Sequence, residues 1–372
     1  PPNSIGKFGG ETDNWMWPRH TGDFSVFRIY ADKNGNPAAY SKDNVPLNTP
    51  KYLNVALTGF EDGDFAMIMG FPGSTSRYLT GEEVKQRMFH ENEPRIAMRD
   101  VTLKIIREEM AKSEDIAIKY ANKQARISNY WKNSIGMNKA IVDNKVVETK
   151  LAEEAEFKAW AQKNGKSEYV DVVEKINACV EEMNRTQYLT TVTSELIMNV
   201  ELIYRNLAKE NGKLLEKPET LVETMKNIYN WLHDRDYNHD IDRRIAKEVL
   251  PLYFELTKPE ERNEYLNEVY AKYKGNLEKY IDHVYENSIL ANESNLKKFL
   301  KKPTLTTFEK DPAVLLRTAV FESFRELSPK NAEFAQVMNP LHKTYLKGLM
   351  EKANGAPVYP DANFTMRLTY GN

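Results

Sequence analysis

The stretch that decides the fold is Phe364-Thr365-Met366-Arg367-Leu368-Thr369-Tyr370. Its Phe, Met, Leu and Tyr side chains alternate with Thr, Arg and Thr, which is the period-2 pattern of a β-strand with one apolar face. The sequence before it, from Thr80 to about Asn354, has helical periodicity and is rich in Glu, Lys, Leu, Ala and Met. A strand after so long a helical region predicts that the chain returns to a sheet begun earlier.

The first 78 residues have the composition of that earlier sheet. Strand-like runs occupy residues 24–30, 52–57 and 65–69, and turn signals such as Asn34-Gly35 and Asp62-Gly63 separate them. The third run is apolar on both faces, which predicts a strand buried on both sides. Short strands between glycine and proline turns favour a barrel or a sandwich.

The change to helical sequence is marked by Thr80-Gly81-Glu82-Glu83, a capping-box pattern. Further helix starts are predicted at Ser167, at Asp311-Pro312 and at Ser328-Pro329, and helix stops at Gly165, Gly212 and Gly275. We therefore predict an α+β chain with a β domain over residues 1–78, a large inserted all-α domain over 79–355 and a returning strand over 356–372.

Composition excludes several classes of protein. The 372 residues carry 52 Lys and Arg against 54 Asp and Glu, so the net charge is −2 and no cationic face for nucleic acid is indicated. No apolar stretch approaches the length of a membrane span. The single cysteine, Cys179, cannot form an intrachain disulfide. Its neighbours in sequence predict a helical residue that faces the apolar core.

No residue set predicts a metal site or a bound cofactor. The acidic run between Asp234 and Asp242 resembles the start of a calcium loop, but His239 stands at the glycine position and Ile245 at the position of the bidentate Glu. This run is interpreted as a polar turn between helices whose acids cap helix ends.

The stretch with the most chemistry is residues 9–24, Gly-Gly-Glu-Thr-Asp-Asn-Trp-Met-Trp-Pro-Arg-His-Thr-Gly-Asp-Phe. Two Trp, a His, an Arg and three acids lie between a glycine pair and a predicted strand. Loops of this composition often line functional sites. A tightly packed loop whose Trp side chains fill the end of a barrel is the alternative that composition leaves open.

This stretch resembles the signature of the bacterial dipeptidyl-peptidase 7 / dipeptidyl-peptidase 11 family. Matching stretches follow in order at residues 68–73, 127–133 and 359–365, so the resemblance spans the chain. It implies a chymotrypsin-like serine exopeptidase in which a helical domain is inserted into a double β-barrel, with only part of that barrel in these residues. We accordingly interpret the chain as an internal fragment of a longer enzyme.

The resemblance implies that Asp23 is the carboxylate of a Ser-His-Asp triad. Such a carboxylate accepts the Nδ1–H of the catalytic histidine, fixes its tautomer and stabilises the imidazolium. The family's histidine lies upstream and its serine downstream, and no Gly-x-Ser-x-Gly motif occurs here. His20 is interpreted as a structural histidine or as one that supports the site without being the base, and Ser74 as a turn or cap residue. We therefore expect the 372-residue chain to be inactive alone.

The same resemblance assigns Asn14, Trp15 and Asn129 to the substrate's free α-ammonium. A buried ammonium needs acceptors for its three N–H groups, and asparagine oxygens supply them without adding charge. An aromatic face adds a wall and a cation–π attraction. Without the resemblance, Asn129 is interpreted as a surface helix residue, and for Asn14 a turn residue remains equally open.

The family further implies peptide substrates with a free α-amine, a homodimer, no metal or organic cofactor, and a periplasmic or cell-surface location. A non-catalytic helical peptide-binding or scaffold module is the alternative from another class. That alternative accounts for the missing histidine and serine. It gives no reason for the aromatic-rich loop that ends at Asp23.

Overall fold

The computed structural model describes residues 3–6, 22, 24–55, 57–204, 230, 234 and 236–372. Its residues group into two compact units, one of residues 1–77 with 358–372 and one of residues 78–357. The described part of the chain is mostly helical and has few strands. None of the described helices is both long and apolar enough to span a membrane.

The first unit contains helix α1 and two strand pairs. The elements are α1 (Asn3–Gly6), β1 (Tyr30–Ala31), β2 (Val45–Pro46), β3 (Ala66–Gly70) and β4 (Arg367–Gly371). Strand β1 pairs antiparallel with β2, and β3 pairs antiparallel with β4. The strand predicted at residues 65–69 is therefore confirmed, and so is the returning strand near the end of the chain.

Two of the predicted strands are wrong. Only Tyr30 of residues 24–30 lies in a strand, and the described residues between 52 and 57 have no regular structure. A strand needs a hydrogen-bonded neighbour. In the described residues β2 is that neighbour for Tyr30, and the Leu47 N–H donates to the Ile29 carbonyl at 2.9 Å, but no described strand pairs with the rest of these two runs. Within the described residues the third run is not buried on both sides, since Ile68 on β3 is 72% exposed.

The β3–β4 pair runs from Ala66 opposite Gly371 to Gly70 opposite Arg367. Asp361, which precedes β4, fixes the segment after β3: its Oδ1 accepts from the Thr75 hydroxyl at 2.7 Å and from the Arg77 backbone N–H at 2.9 Å. The Arg367 guanidinium donates to the Asp361 carbonyl at 2.8 Å. These contacts give Asp361 of the matching stretch 359–365 a structural role in closing the strand pair.

The second unit is a helical assembly that begins with the predicted capping box. The Glu83 N–H donates to the Thr80 hydroxyl at 3.3 Å, and the Thr80 N–H donates to the Glu83 carboxylate at 2.8 Å. The helices are α2 (Gly81–Gln86), which continues as a π-helical turn (Arg87–Asn92), α3 (Glu93–Lys112), α4 (Glu114–Asp143), α5 (Val146–Lys163), α6 (Ser167–Val170), α7 (Val172–Asn199), α8 (Glu201–Tyr204), α9 (His239–Leu256), α10 (Glu264–Lys272), α11 (Leu277–Asn287), α12 (Glu293–Leu300), α13 (Leu305–Glu309) and α14 (Pro312–Ala353).

The start predicted at Asp311-Pro312 is confirmed, because the Asp311 carboxylate accepts from the N–H groups of the first turn of α14. The start predicted at Ser328-Pro329 is wrong, since α14 runs through Pro329 and again through Pro340. Both prolines are exposed, and so are the residues four positions before them. The carbonyls that lose their helical donors can therefore bond to water, which lowers the cost of an interior proline.

Two apolar cores lie inside the helical unit. The larger is formed by α3, α4, α7 to α13 and the first half of α14. The smaller is formed by α5, α6, the first half of α7 and the second half of α14, with Phe157, Tyr169 and Tyr345 as its large side chains. Helices α7 and α14 contribute to both cores and so join them.

Gly348 on α14 has no space for a side chain in the smaller core. A Cβ there would lie 2.5 Å from Cζ of Phe157 and 3.1 Å from Cγ of Tyr169. We expect Gly348→Ala to lower the free energy of unfolding by about 1–3 kcal/mol, because overpacking forces these rings to move. Chemical denaturation measures the change, with exposed Lys347→Ala as the control. An unchanged or higher stability would contradict the packing described here.

Candidate functional site

The predicted site residues divide between described and undescribed parts of the chain. Asn14, Trp15 and Asp23, together with His20, lie outside the described residues. Asn129 is described: it lies on the exposed side of α4, in the second half of that helix. Of the predicted site residues, only Asn129 therefore has surroundings that the structure describes.

Helix α4 begins at a capped turn and carries the matching stretch 127–133 in its second half. Ser113 is the N-cap, and its hydroxyl accepts from the Ile116 N–H at 3.4 Å. Ser128 is fully buried whereas its neighbours Asn129 and Tyr130 are exposed. The buried position fixes the rotation of the helix, and this rotation presents Asn129 outward.

Side chains of α3 hold this part of α4 through polar contacts. The Arg99 guanidinium donates to the Ile127 carbonyl at 2.9 Å and lies 5.5 Å from the ring centre of Tyr130. The Asp100 carboxylate accepts from the Trp131 indole N–H at 2.6 Å. The residues on both sides of Asn129 are therefore tied to α3.

Glu195 on α7 anchors the arginines of α3. Its carboxylate forms a two-bond pair with Arg99, with Nε–Oε2 at 2.8 Å and Nη2–Oε1 at 3.0 Å. Arg95 also approaches this carboxylate, at 3.3 Å, and the Asn199 side-chain amide donates to it at 3.0 Å. Two-bond arginine–carboxylate pairs fix orientation as well as distance, so three helices are held in register beneath Asn129.

A second buried polar cluster lies around Asp242 on α9. Its fully buried carboxylate accepts from the N–H groups of Glu201 at 2.7 Å and Leu202 at 3.0 Å, and from the Tyr285 hydroxyl at 2.8 Å. Burial, followed by the nearby Glu201 carboxylate, raises the pKa of Asp242 to about 7. The sequence predicts here a polar turn whose acids cap helix ends. Asp242 lies inside α9 rather than in a turn, but its carboxylate caps the start of α8, and the bond from Tyr285 ties α11 to the same group.

A cavity of about 290 Å³ lies beside the first half of α4, lined among others by Asn122, Lys123 and Arg126. Asn122 and Arg126 share the helix stripe of Asn129, being seven and three positions before it. Three cations and three carboxylates line the described wall: Lys119, Lys123, Arg126, Glu201, Asp234 and Asp236. Lys123 already pairs with Glu201 at 2.6 Å, so the wall shows no excess charge for an ionic ligand.

The described residues contain no group of three or more His, Cys, Asp or Glu arranged to hold a metal ion. Cys179 is half-buried on α7 and packs at the edge of the smaller core. The residues that sequence reasoning missed are Arg99 and Glu195. The sequence signal that could have identified Glu195 is its acidic side chain between Val192 and Leu196, two residues of the apolar face of α7.

Comparisons with known proteins identify the family. A model of the family peptidase S46 matches residues 1–372. The chain is 50% identical over 379 residues to dipeptidyl-peptidase 7 of Phocaeicola vulgatus. That alignment covers all of this chain and 53% of the relative. It is 35% identical over 380 residues to the Asp/Glu-specific dipeptidyl-peptidase of Porphyromonas gingivalis, covering 100% of the chain and 52% of the relative.

Solved structures agree. The crystal structure of Porphyromonas endodontalis DPP11 in complex with the dipeptide Arg-Glu matches with a TM-score of 0.84 and 33% identity, covering 100% of this chain and 54% of that one. The same protein in an alternate conformation matches with a TM-score of 0.65 and 29% identity, covering 100% and 52%. The chain spans about half the length of the relatives it matches. The resemblance found in the motifs is thus confirmed, and the chain belongs to the peptidase S46 family.

Proposed function

We propose that the enzyme to which these residues belong is a serine dipeptidyl-peptidase, which releases dipeptides from the free amino terminus of peptides. The observation that carries the proposal is the 50% identity, over the whole chain, to a protein named dipeptidyl-peptidase 7. A second relative is named for dipeptidyl-peptidase activity at Asp and Glu. A structural relative has been crystallised with a dipeptide.

In the proposed mechanism a serine attacks the carbonyl of the second peptide bond while a histidine takes its proton and passes it to the amine that leaves. Water, activated by the same histidine, then hydrolyses the ester and releases the dipeptide. Asp23 orients that histidine and stabilises its charged form. The serine and histidine are expected in parts of the enzyme outside residues 1–372. Family membership and the relatives' greater length support this division. The reaction needs no metal or organic cofactor, because the nucleophile and the base are both protein side chains.

Recognition of the free α-amine is assigned to Asn14, Trp15 and Asn129. A dipeptidyl-peptidase must bind the charged amino terminus of its substrate, which an endopeptidase does not bind. When this ammonium is buried, it needs oxygen acceptors for its N–H groups. The exposed side of α4 at Asn129, above a buried and fully paired arginine–glutamate anchor, suits a fixed acceptor.

The proposed architecture is a chymotrypsin-like double β-barrel interrupted by the helical unit. Its support is that strands from the two ends of the sequence pair with each other, β3 with β4, while residues 78–357 form a compact unit of their own. The apolar side chains that β3 exposes within these residues also fit a barrel strand, whose inward-facing side chains would be covered by the barrel interior in the longer enzyme.

A homodimer and a periplasmic or cell-surface location complete the proposal, both on the strength of the family resemblance. Light scattering of the purified full-length enzyme tests the first, with a monomer mass as the contrary result. Fractionation of the source cells tests the second, with activity confined to the cytosol as the contrary result.

The amine site is tested with Asn129→Ala in the full-length enzyme. We expect kcat/KM for substrates with a free amine to fall about 10- to 100-fold, the effect of removing one hydrogen bond to a charged group. A fluorogenic dipeptidyl substrate measures the change. Asn122→Ala is the matched control, because Asn122 is an exposed asparagine on the same helix. An unchanged kcat/KM in Asn129→Ala would remove Asn129 from the site.

A further inference from the structure

We infer that Arg99 and Glu195 are positioning residues for amine recognition, acting through Asn129. The inference rests on the proposed function, since it takes Asn129 as a ligand of the substrate's α-ammonium. It goes beyond that function by naming side chains that touch no substrate yet set where the amide of Asn129 lies.

The first observation is that Arg99 contacts α4 on both sides of Asn129. Its Nη1 donates to the carbonyl of Ile127, two residues before, at 2.9 Å. Its guanidinium lies 5.5 Å from the ring centre of Tyr130, one residue after. A shift of the guanidinium is therefore transmitted to the backbone that carries Asn129.

The second observation is that the guanidinium itself has little freedom. Arg99 is 5% exposed and Glu195 is 3% exposed. The two bonds between them, at 2.8 and 3.0 Å, fix the plane of the guanidinium. Asn199 donates to the same carboxylate from one turn along α7 at 3.0 Å, so Glu195 is also held.

A general argument separates positioning from simple packing. Replacing a buried ion pair by apolar side chains of similar volume is often neutral or stabilising for the fold. What the ion pair provides is direction, because the planar fork of arginine accepts only one arrangement of carboxylate and carbonyl. Direction matters at Asn129, since a hydrogen bond to the substrate's ammonium weakens steeply when its angle or distance departs from the preferred geometry.

The test compares Arg99→Lys with the unaltered full-length enzyme. Lysine keeps the charge but loses the fork, so it cannot hold Glu195 and the Ile127 carbonyl in one plane. We expect KM for free-amine dipeptidyl substrates to rise about 10-fold while kcat changes less than about 3-fold, as for loss of uniform binding. Inactivation by a small sulfonyl fluoride, which reaches the serine without the amine site, should keep its rate.

The double variant decides whether the effect passes through Asn129. In an Asn129→Ala background, Arg99→Lys should change KM little further, because the side chain that it positions is already absent. Equal effects of Arg99→Lys in both backgrounds would overturn the inference. A slower reaction with the sulfonyl fluoride would also overturn it, since that result indicates general damage.

Two further variants keep the test decisive. Glu195→Gln preserves the shape of the anchor and should reproduce the KM effect if Arg99→Lys does not fold; a normal KM in a folded Glu195→Gln enzyme overturns the inference. Arg185→Lys is the matched control, because Arg185 on α7 forms a similar two-bond pair, with Glu261, and should leave KM unchanged.

The proposed function and this inference fail differently. If Asn129→Ala leaves KM unchanged, the assignment of the amine site fails and the inference fails with it. If Asn129→Ala raises KM while Arg99→Lys and Glu195→Gln do not, the proposed function stands and only the positioning role is lost.

Discussion

Replacing Asp23 by Asn in the full-length enzyme is expected to lower kcat about 10⁴-fold. The asparagine amide has the shape of the carboxylate but presents an N–H where the histidine requires an acceptor. The histidine then adopts the tautomer that cannot take the proton of the serine. The substrate's binding groups are untouched, so KM should change little. Steady-state kinetics with a fluorogenic dipeptidyl substrate measures both constants.

The control for this variant is Asp13→Asn, which makes the same chemical change within the same aromatic-rich stretch. It should retain most of the activity, because the family resemblance gives Asp13 no part in the triad. A fall in kcat of less than about 10-fold in Asp23→Asn would remove Asp23 from the triad. An equal fall in Asp13→Asn would indicate damage to the loop rather than loss of the catalytic carboxylate.

Asp242→Ala is expected to lower the free energy of unfolding of the helical unit by about 3–5 kcal/mol. The substitution leaves the backbone N–H groups of Glu201 and Leu202 and the hydroxyl of Tyr285 without their acceptor. Each buried donor left unpaired costs about 1–3 kcal/mol. Denaturant unfolding followed by circular dichroism at about pH 5 measures the loss.

The sign of its pH dependence follows from the raised pKa of Asp242, about 7 in the folded protein. The folded state binds this proton more tightly than the unfolded state, so the stabilisation is complete below the unfolded pKa, about 4, and is lost as pH rises through about 7. The destabilisation by Asp242→Ala should therefore shrink over that range.

Asp240→Ala is the control for Asp242→Ala, because Asp240 lies in the same first turn of α9 with its side chain 92% exposed. It should cost less than about 1 kcal/mol, the contribution of an exposed acid to the helix dipole. A similar loss in both variants would show that charge at the helix end matters and that the buried hydrogen bonds do not. A destabilisation that grows toward pH 7 would contradict the raised pKa.

Local sequence predicted the elements whose determinants are local. The capping box at Thr80 and the helix start at Asp311 each depend on a few neighbouring side chains. The run at 24–30 has β propensity but lies mostly outside any strand, because pairing depends on a partner that propensity cannot specify. Pro329 failed as a helix start for a related reason, since packing of α14 outweighs one local signal.

The support for the candidate site could not be predicted because its partners are distant in sequence. Glu195 reaches Arg99 across 96 positions, and Asp242 reaches Leu202 across 40. From sequence, Asp242 was indistinguishable from the acids around it in a polar run. Asn129 itself was found only through the family resemblance, since its local sequence is that of any exposed helix.

The pairing of β3 with β4 sets an order for events on the ribosome. Gly70 lies opposite Arg367, so roughly 300 residues are synthesised between the two strands, which takes roughly 15–60 s at bacterial and eukaryotic elongation rates. During that time Met67, Ile68 and Met69 have no β4 to pair with, and the helical unit can form first. A nascent chain stalled before residue 367 should therefore present an apolar strand without its β4 partner, and unpaired strand edges of this kind are prone to aggregation.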